Sequence, residues 1–265
     1  METKYYDTKN KRLVFIGSHA DDNYRDKHWQ QDDFRNSIQK TFDPFVVGNT
    51  KKYIKKGGKI LEGGCGIGQN VYLLNHHGFN TIGIDYAEKT IEKINVHAPE
   101  LDVRFGDVRR LPFENDSFDG YWSFGVIEHF YDGYDEIMSE MHRVINKGGV
   151  LLMTVPSMSI LRKLKAKQGR YPLWDEDKDK IKQFYQYALD HTTVINNFEN
   201  NGFRLMAVKP YDGFKGLKDE VIFLKKPMQY MYDSKFILVR IVRKIVSKII
   251  ERFSNHMTLF IFKKI

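Results

Sequence analysis

Lys59-Ile60-Leu61-Glu62-Gly63-Gly64-Cys65-Gly66-Ile67-Gly68 is the stretch on which the fold turns. A short apolar run ends in a carboxylate and a group of glycines. Gln69-Asn70-Val71-Tyr72-Leu73-Leu74 then takes up a helical pattern. Strand, glycine loop and helix in this order bring free amide N–H groups to an anionic ligand group. Glycine supplies the positive φ and the close backbone approach such a loop needs. The G-x-G-x-G spacing alone is shared with dinucleotide-binding loops and does not choose between ligands.

Outward from this loop, short apolar runs alternate with helix-like stretches. Strands are predicted at 59–63, 80–85, 102–106, 118–123, 149–155, 203–209 and 257–263. Buried strands alternating with helices argue for βαβ units and a parallel sheet. Two further carboxylates stand at strand ends. Asp85, 17 residues after Gly68, can accept from both hydroxyls of a ribose. Asp107, after Gly106, can accept from an adenine amino group.

KILEGGCGIG, GIDYAE, FGDVRRLPFENDSFDGYWSFGVIEHF and NKGGVLLMTVP, in that order, closely resemble the motifs of class I S-adenosylmethionine-dependent methyltransferases over residues 57–156. The L-P-F-x-x-x-S-F-D segment resembles the small-molecule branch. The resemblance implies an α/β, Rossmann-like fold: a seven-stranded, mostly parallel sheet with helices on both faces and an antiparallel last strand. It implies S-adenosylmethionine as cofactor and S-adenosylhomocysteine as product. Glu62 resembles the acid that holds the methionyl amino group, and Gly64, Gly66 and Gly68 the glycines passing under the cofactor. Asp85 resembles the ribose-binding acid, Tyr86 the residue stacking by the adenine, and Asp107 and Val108 the adenine-edge pair. Ser123 stands where a backbone carbonyl meets the amino-acid end. Methyl transfer from a sulfonium asks the protein mainly to position a nucleophile and exclude water. The implied reaction is transfer to an oxygen or nitrogen of a small-molecule acceptor, such as a natural product, quinone, lipid-linked or glycan precursor. RNA or protein methylation, and a non-catalytic cofactor-binding subunit, stay open beside it.

Glu128-His129 follows the fourth strand, at the corner that faces the methyl group in the implied fold. His129 is the general-base candidate, with Glu128 beside it. Both residues can equally serve to cap the next helix. No companion cluster suggests a metal. No Asn/Asp-Pro-Pro-aromatic motif follows the fourth strand, so DNA is not expected as acceptor. Residues 1–56 are expected to form an N-terminal helical lid, with Pro44 interrupting the helical pattern, and Tyr24, His28 and Trp29 are candidates to close the pocket. Residues 57–265 are the methyltransferase domain, interrupted by inserted cap elements at 157–191 and 213–255. Those excursions are expected to build the acceptor pocket, with Tyr171, Trp174, Phe184, Tyr185 and Tyr187 available to a planar acceptor or to an ordinary cap.

The chain has 265 residues and one cysteine, which excludes an internal disulfide framework. The start lacks a signal-peptide pattern, and a cytoplasmic setting is expected. The net charge is +8, from 42 basic and 34 acidic residues. Residues 151–265 hold 22 basic and 11 acidic residues, so residues 1–150 hold 20 and 23. The excess therefore sits outside the cofactor-binding half. Within it, 235–253 has helical periodicity, with Phe236, Val239, Val242, Ile245, Val246, Ile249 and Phe253 on one face. Such a helix can make peripheral contact with an anionic membrane, cover a pocket, or pack on the sheet. The sequence fixes no oligomeric state.

Overall fold

In strand β3 (Lys59–Gly63), Ile60 and Leu61 belong to different hydrophobic clusters on opposite faces of the sheet. The same division separates Tyr121 from Trp122 in β6 (Phe118–Phe124) and Leu151 from Leu152 in β7 (Ile145–Pro156). Both faces are covered, which is why these strands are continuous apolar runs rather than alternating ones. The computed structural model describes residues 3–17 and 31–265.

The main sheet has seven strands in the order β5-β4-β3-β6-β7-β10-β9, where β4 is Asn80–Asp85, β5 Val103–Phe105, β9 Phe203–Tyr211 and β10 Met257–Lys264. β5, β4, β3, β6 and β7 run parallel, while β10 is antiparallel to both its neighbours. All seven expected strands are present, and the antiparallel last strand is inserted between β7 and β9. The strand order reverses beside β3, so the carboxyl ends of β3, β4 and β6 open onto one crevice.

The N-terminal segment departs from the expected all-helical form. Residues 3–16 make a hairpin of β1 (Thr3–Asp7) and β2 (Arg12–Ile16), and β2 pairs with β8 (Phe184–Ala188) from the first excursion. Leu13 and Phe15 pack with Met158, Tyr171 and Ala188, whereas Val14 and Ile16 enter the main core. A strand buried on both sides has no polar alternation, and the hairpin was hidden for that reason. The helices of this segment are α1 (Gln31–Gln39) and α2 (Pro44–Tyr53). Asp43 caps α2 by accepting from the Phe45 and Val46 amides, and Pro44 sits at the first turn, where its missing N–H costs nothing. Thr50 then accepts from the buried indole of Trp122 at 2.8 Å, fastening α2 to the sheet. Tyr24, His28 and Trp29 lie outside the described residues.

The second excursion is three helices, α9 (Gly213–Glu220), α10 (Ile222–Asp233) and α11 (Ile237–Ser254). α9 lies against the backbone of α11. A Cβ built on Gly216 would stand 1.6 Å from the Ser254 carbonyl oxygen, and one on Gly213 2.7 Å from Glu251 Cα. Among the described residues no helix is long and apolar enough to cross a membrane. Gly216→Ala is expected to cost about 1–3 kcal/mol by forcing α9 and α11 apart. Gly48→Ala, on an exposed face of α2 with nothing near the new methyl, is expected to be neutral or to add up to about 1 kcal/mol. Urea unfolding of the two variants checks the contrast.

Candidate functional site

The glycine loop is held by its neighbour strand. Gly64 and Cys65 amides donate to the Ile84 carbonyl at 2.8 and 3.0 Å, and the Gly66 amide donates to Asp85 Oδ2 at 2.8 Å. The other carboxylate oxygen of Asp85 accepts from the Ala87 amide at 2.9 Å. Asp85 thus fixes the loop on one side and the next turn on the other. Gly64, Gly66 and Gly68 all have positive φ. At Gly64 a methyl would strike Val126 at 2.5 Å, whereas at Gly66 it would meet nothing within 4 Å. The loop is therefore closed against the β6 turn at one glycine and open at the next. Helix α3 (Gln69–His76) starts directly after it without a side-chain cap.

Among the described residues, four buried side-chain atoms on β3, β6 and the turn after β6 have no hydrogen-bond partner: Glu62 Oε2, Tyr121 OH, Ser123 Oγ and Glu128 Oε2. Gly63 and Ser123 are register partners across these strands, and a Cβ on Gly63 would overlap the Tyr121 hydroxyl at 1.9 Å. Glu62 is almost fully buried, and its Oε1 accepts from Asn70 Nδ2 at 2.9 Å. Burial pushes its carboxyl up to about 8, with Asn70 opposing and the Asp85 charge adding to the rise. Glu128 is as deeply buried, and burial pushes it up to about 8 as well. Buried acceptors left unpaired are costly. Glu62, directly before the glycine loop, suits a cationic ligand group, which would supply both the missing donor and the missing charge.

The other expected residues divide by exposure. Tyr86 is 78% exposed at the mouth of the crevice. Asp107 is gripped by its own Arg109, through the backbone amide at 2.8 Å and the guanidinium at 2.7 Å, and this ion pair holds its carboxyl below the usual range. Val108 is buried in the core, so only its backbone is offered to a ligand. Glu128 and His129, neighbours in a one-turn 3-10 segment (Ile127–His129), face different surroundings. Glu128 lies inward near Gly125, and His129 is exposed. His129 Nδ1 is 2.8 Å from the Tyr185 carbonyl oxygen. A carbonyl only accepts, so Nδ1 carries the proton and Nε2 carries the lone pair, the tautomer a base requires.

Two features were missed in the sequence. Asn70, one turn into α3, orients Glu62; a polar residue facing back toward the preceding carboxylate was its only signal. The second is a cavity of about 180 Å³ lined by Lys4, Phe15, Arg162, Tyr185, Gln186, Lys215, Asp219 and His256. It shares Tyr185 with His129. Arg162 is fully buried in α6 (Ile160–Lys167) and donates to Glu220 at 2.9 Å and to the Ser157 carbonyl at 2.8 Å. Lys4, Lys165 and Tyr171 also donate to Glu220, and these cations hold its carboxyl far below the usual range despite burial. Tyr171, Phe184 and Tyr187 are buried in the cap, leaving Trp174 and Tyr185 partly accessible.

The family model described as "Methyltransferase domain" matches residues 61–153. The "Probable S-adenosylmethionine-dependent methyltransferase" of Mycolicibacterium smegmatis is 37% identical over 101 residues, 38% of this chain and 39% of that protein. The chain thus spans well under half of that relative. Demethylmenaquinone methyltransferase of Staphylococcus haemolyticus is 28% identical over 178 residues, 55% of this chain and 74% of that protein. A crystal structure from Pyrococcus horikoshii aligns with 93% of this chain and all of its own, at TM-score 0.57 and 20% identity, which establishes the likeness of fold.

Glu62 and Glu128 bind protons in the folded state that they lose in the unfolded state. The sign follows: their contribution to stability is complete below the ordinary carboxyl value of 4.5 and is lost as pH rises through about 8. The melting temperature of ligand-free protein is expected to fall progressively between about pH 5 and about pH 8 and to level off above that, and Glu128→Gln is expected to reduce that fall. Thermal unfolding across this range is the check.

Proposed function

We propose that this chain is a class I S-adenosylmethionine-dependent methyltransferase that moves the cofactor's methyl group onto an oxygen or nitrogen of a small-molecule acceptor. The observation that carries this reading is the buried Glu62 carboxyl, with one oxygen unpaired among the described residues, directly before the open glycine loop. In this reading Glu62 binds the cofactor's ammonium group, and Asn70 keeps the carboxylate turned toward it. Gly64, Gly66 and Gly68 let the backbone pass beneath the ligand. Asp85 has one hydrogen bond on each oxygen and retains acceptor capacity for the ribose hydroxyls. Tyr86 covers the adenine face, Asp107 and Val108 line its edge, and the backbone at Ser123 meets the amino-acid end. When bound, the cofactor supplies an electrophilic methyl on a sulfonium that leaves as a neutral thioether.

The protein's remaining task is to place and deprotonate the acceptor. His129 takes the acceptor proton at Nε2, and the Tyr185 carbonyl, facing Nδ1, holds the ring. Glu128, uncharged at neutral pH, shapes the wall behind it. The cavity beyond Tyr185 lies on the acceptor side. Its lining, in which Lys4 and Arg162 pair with Glu220 and Lys215 with Asp219, favours an acceptor with polar groups, among quinone, natural-product, lipid-linked and glycan precursors.

Radiolabelled methyl transfer into separate pools of small molecules, RNA and protein tests the acceptor class; label entering only RNA or protein would overturn the small-molecule reading. Asp85→Ala is expected to weaken S-adenosylhomocysteine binding about tenfold or more, read by calorimetry. His129→Ala is expected to leave that affinity intact while lowering turnover about tenfold or more. Unchanged turnover would remove His129 from the reaction.

A further inference from the structure

We propose that α10 and α11 form a docking surface for an anionic lipid bilayer. The evidence begins with how α11 is held. On its inner side Ser247, Glu251 and Ser254 meet the glycines of α9, and Val239, Val246 and Ile250 are half-buried. That close backbone approach uses the small residues and leaves the bulky ones outside. Leu238, Ile241, Val242, Ile245, Ile249 and Phe253 are all exposed, Ile249 to 75%. On α10, Ile222, Phe223 and Tyr230 are exposed as well, Ile222 to 91%. Arg243 joins the two helices, donating to the Tyr232 carbonyl and lying over the Tyr232 ring. Together they present an apolar surface of a size that a solitary soluble chain rarely leaves in water.

Charge selects the occupant. Arg240, Lys244, Lys248 and Arg252 recur every fourth residue and form a stripe along one flank of the apolar face. Lys225, Lys226 and Lys235 extend the basic surface onto α10 and the connecting turn. An amphipathic helix ~27 Å long, with an apolar face bordered by lysine and arginine, has the form that lies in the plane of an anionic headgroup layer. The long basic side chains reach the phosphates while the isoleucines enter the acyl boundary. A second copy of the chain fits less well, because a two-fold contact on this face would bring the basic stripes together. The basic excess of residues 151–265 thus acquires a location and a target.

This surface stands apart from the cofactor site, and the inference does not depend on methyl transfer. It does concern access. α9 packs on α11 and also carries Lys215 and Asp219 into the cavity beside Tyr185. Docking would therefore set the acceptor-side cap at the membrane surface.

Flotation of the purified full chain with phosphatidylcholine vesicles, with and without ~30% phosphatidylglycerol, tests the proposal. Binding is expected on the anionic vesicles and is expected to weaken with salt. The Ile245→Asp/Ile249→Asp double variant is expected to lose about tenfold of this partitioning. Both positions are exposed, so its melting temperature and its S-adenosylhomocysteine-induced shift are expected to match those of the unaltered chain. Lys244→Glu/Lys248→Glu is expected to remove the preference for anionic vesicles while leaving the apolar face whole. Absence of binding to any vesicle would overturn the proposal. So would a concentration-dependent dimer in analytical ultracentrifugation that the double aspartate variant abolishes, since a second copy would then be the occupant.

Discussion

The geometry of the crevice depends on one buried contact between neighbouring strands. Asp85 accepts from the Gly66 amide, and the Ile84 carbonyl accepts from Gly64 and Cys65, so the loop after β3 is shaped by the end of β4. These bonds hold three glycines at positive φ in a region where most side chains would be strained. They also align Glu62 with Asn70 and set the free edge of the loop opposite β6. Without Asp85 the loop would lose the partner that holds it open. The same residue therefore organises the loop and, in the proposed function, the ribose.

Around that contact the site stores an electrostatic imbalance. Glu62 and Glu128 are buried, each with one oxygen unpaired among the described residues, and both are uncharged at neutral pH because desolvation outweighs the nearby donors. A catalytic crevice is a common place for such shifts, because a ligand can supply what folding leaves out. The cap has the opposite character. There Glu220 is just as buried, but Arg162, Lys4 and Lys165 keep it charged. One carboxyl waits for a cation; the other is already saturated and serves to tie the hairpin, α6 and α9 into one body.

The central strands were legible because they are buried on both faces, and the more exposed β5 and β9 because turn and helix signals bound them. The strand-end acids were legible because their spacing follows from the length of one βα unit. The β1–β2 hairpin was not legible. Its partner, Phe184–Ala188, is some 170 residues away in sequence, and Leu13-Val14-Phe15-Ile16 shows no alternation when both sides are buried. For 235–253 the periodicity gave the helix but not its orientation. Gly213 and Gly216 decided that, by offering a backbone surface to Ser247, Glu251 and Ser254 instead of a socket for isoleucine. The cavity was beyond reach for a similar reason, since its lining comes from segments joined only by the fold.

Calorimetric titration of the purified chain with S-adenosylhomocysteine near pH 7, repeated in buffers of different ionisation enthalpy, measures the protons exchanged on binding. The ligand is expected to bind with net proton release, because its ammonium group converts a neutral buried Glu62 into a paired carboxylate. Glu62→Gln is expected to bind more weakly and to release less. Failure to bind would contradict the assignment of the crevice to this cofactor. Binding with no proton release, unchanged in Glu62→Gln, would contradict the role given to the buried acid.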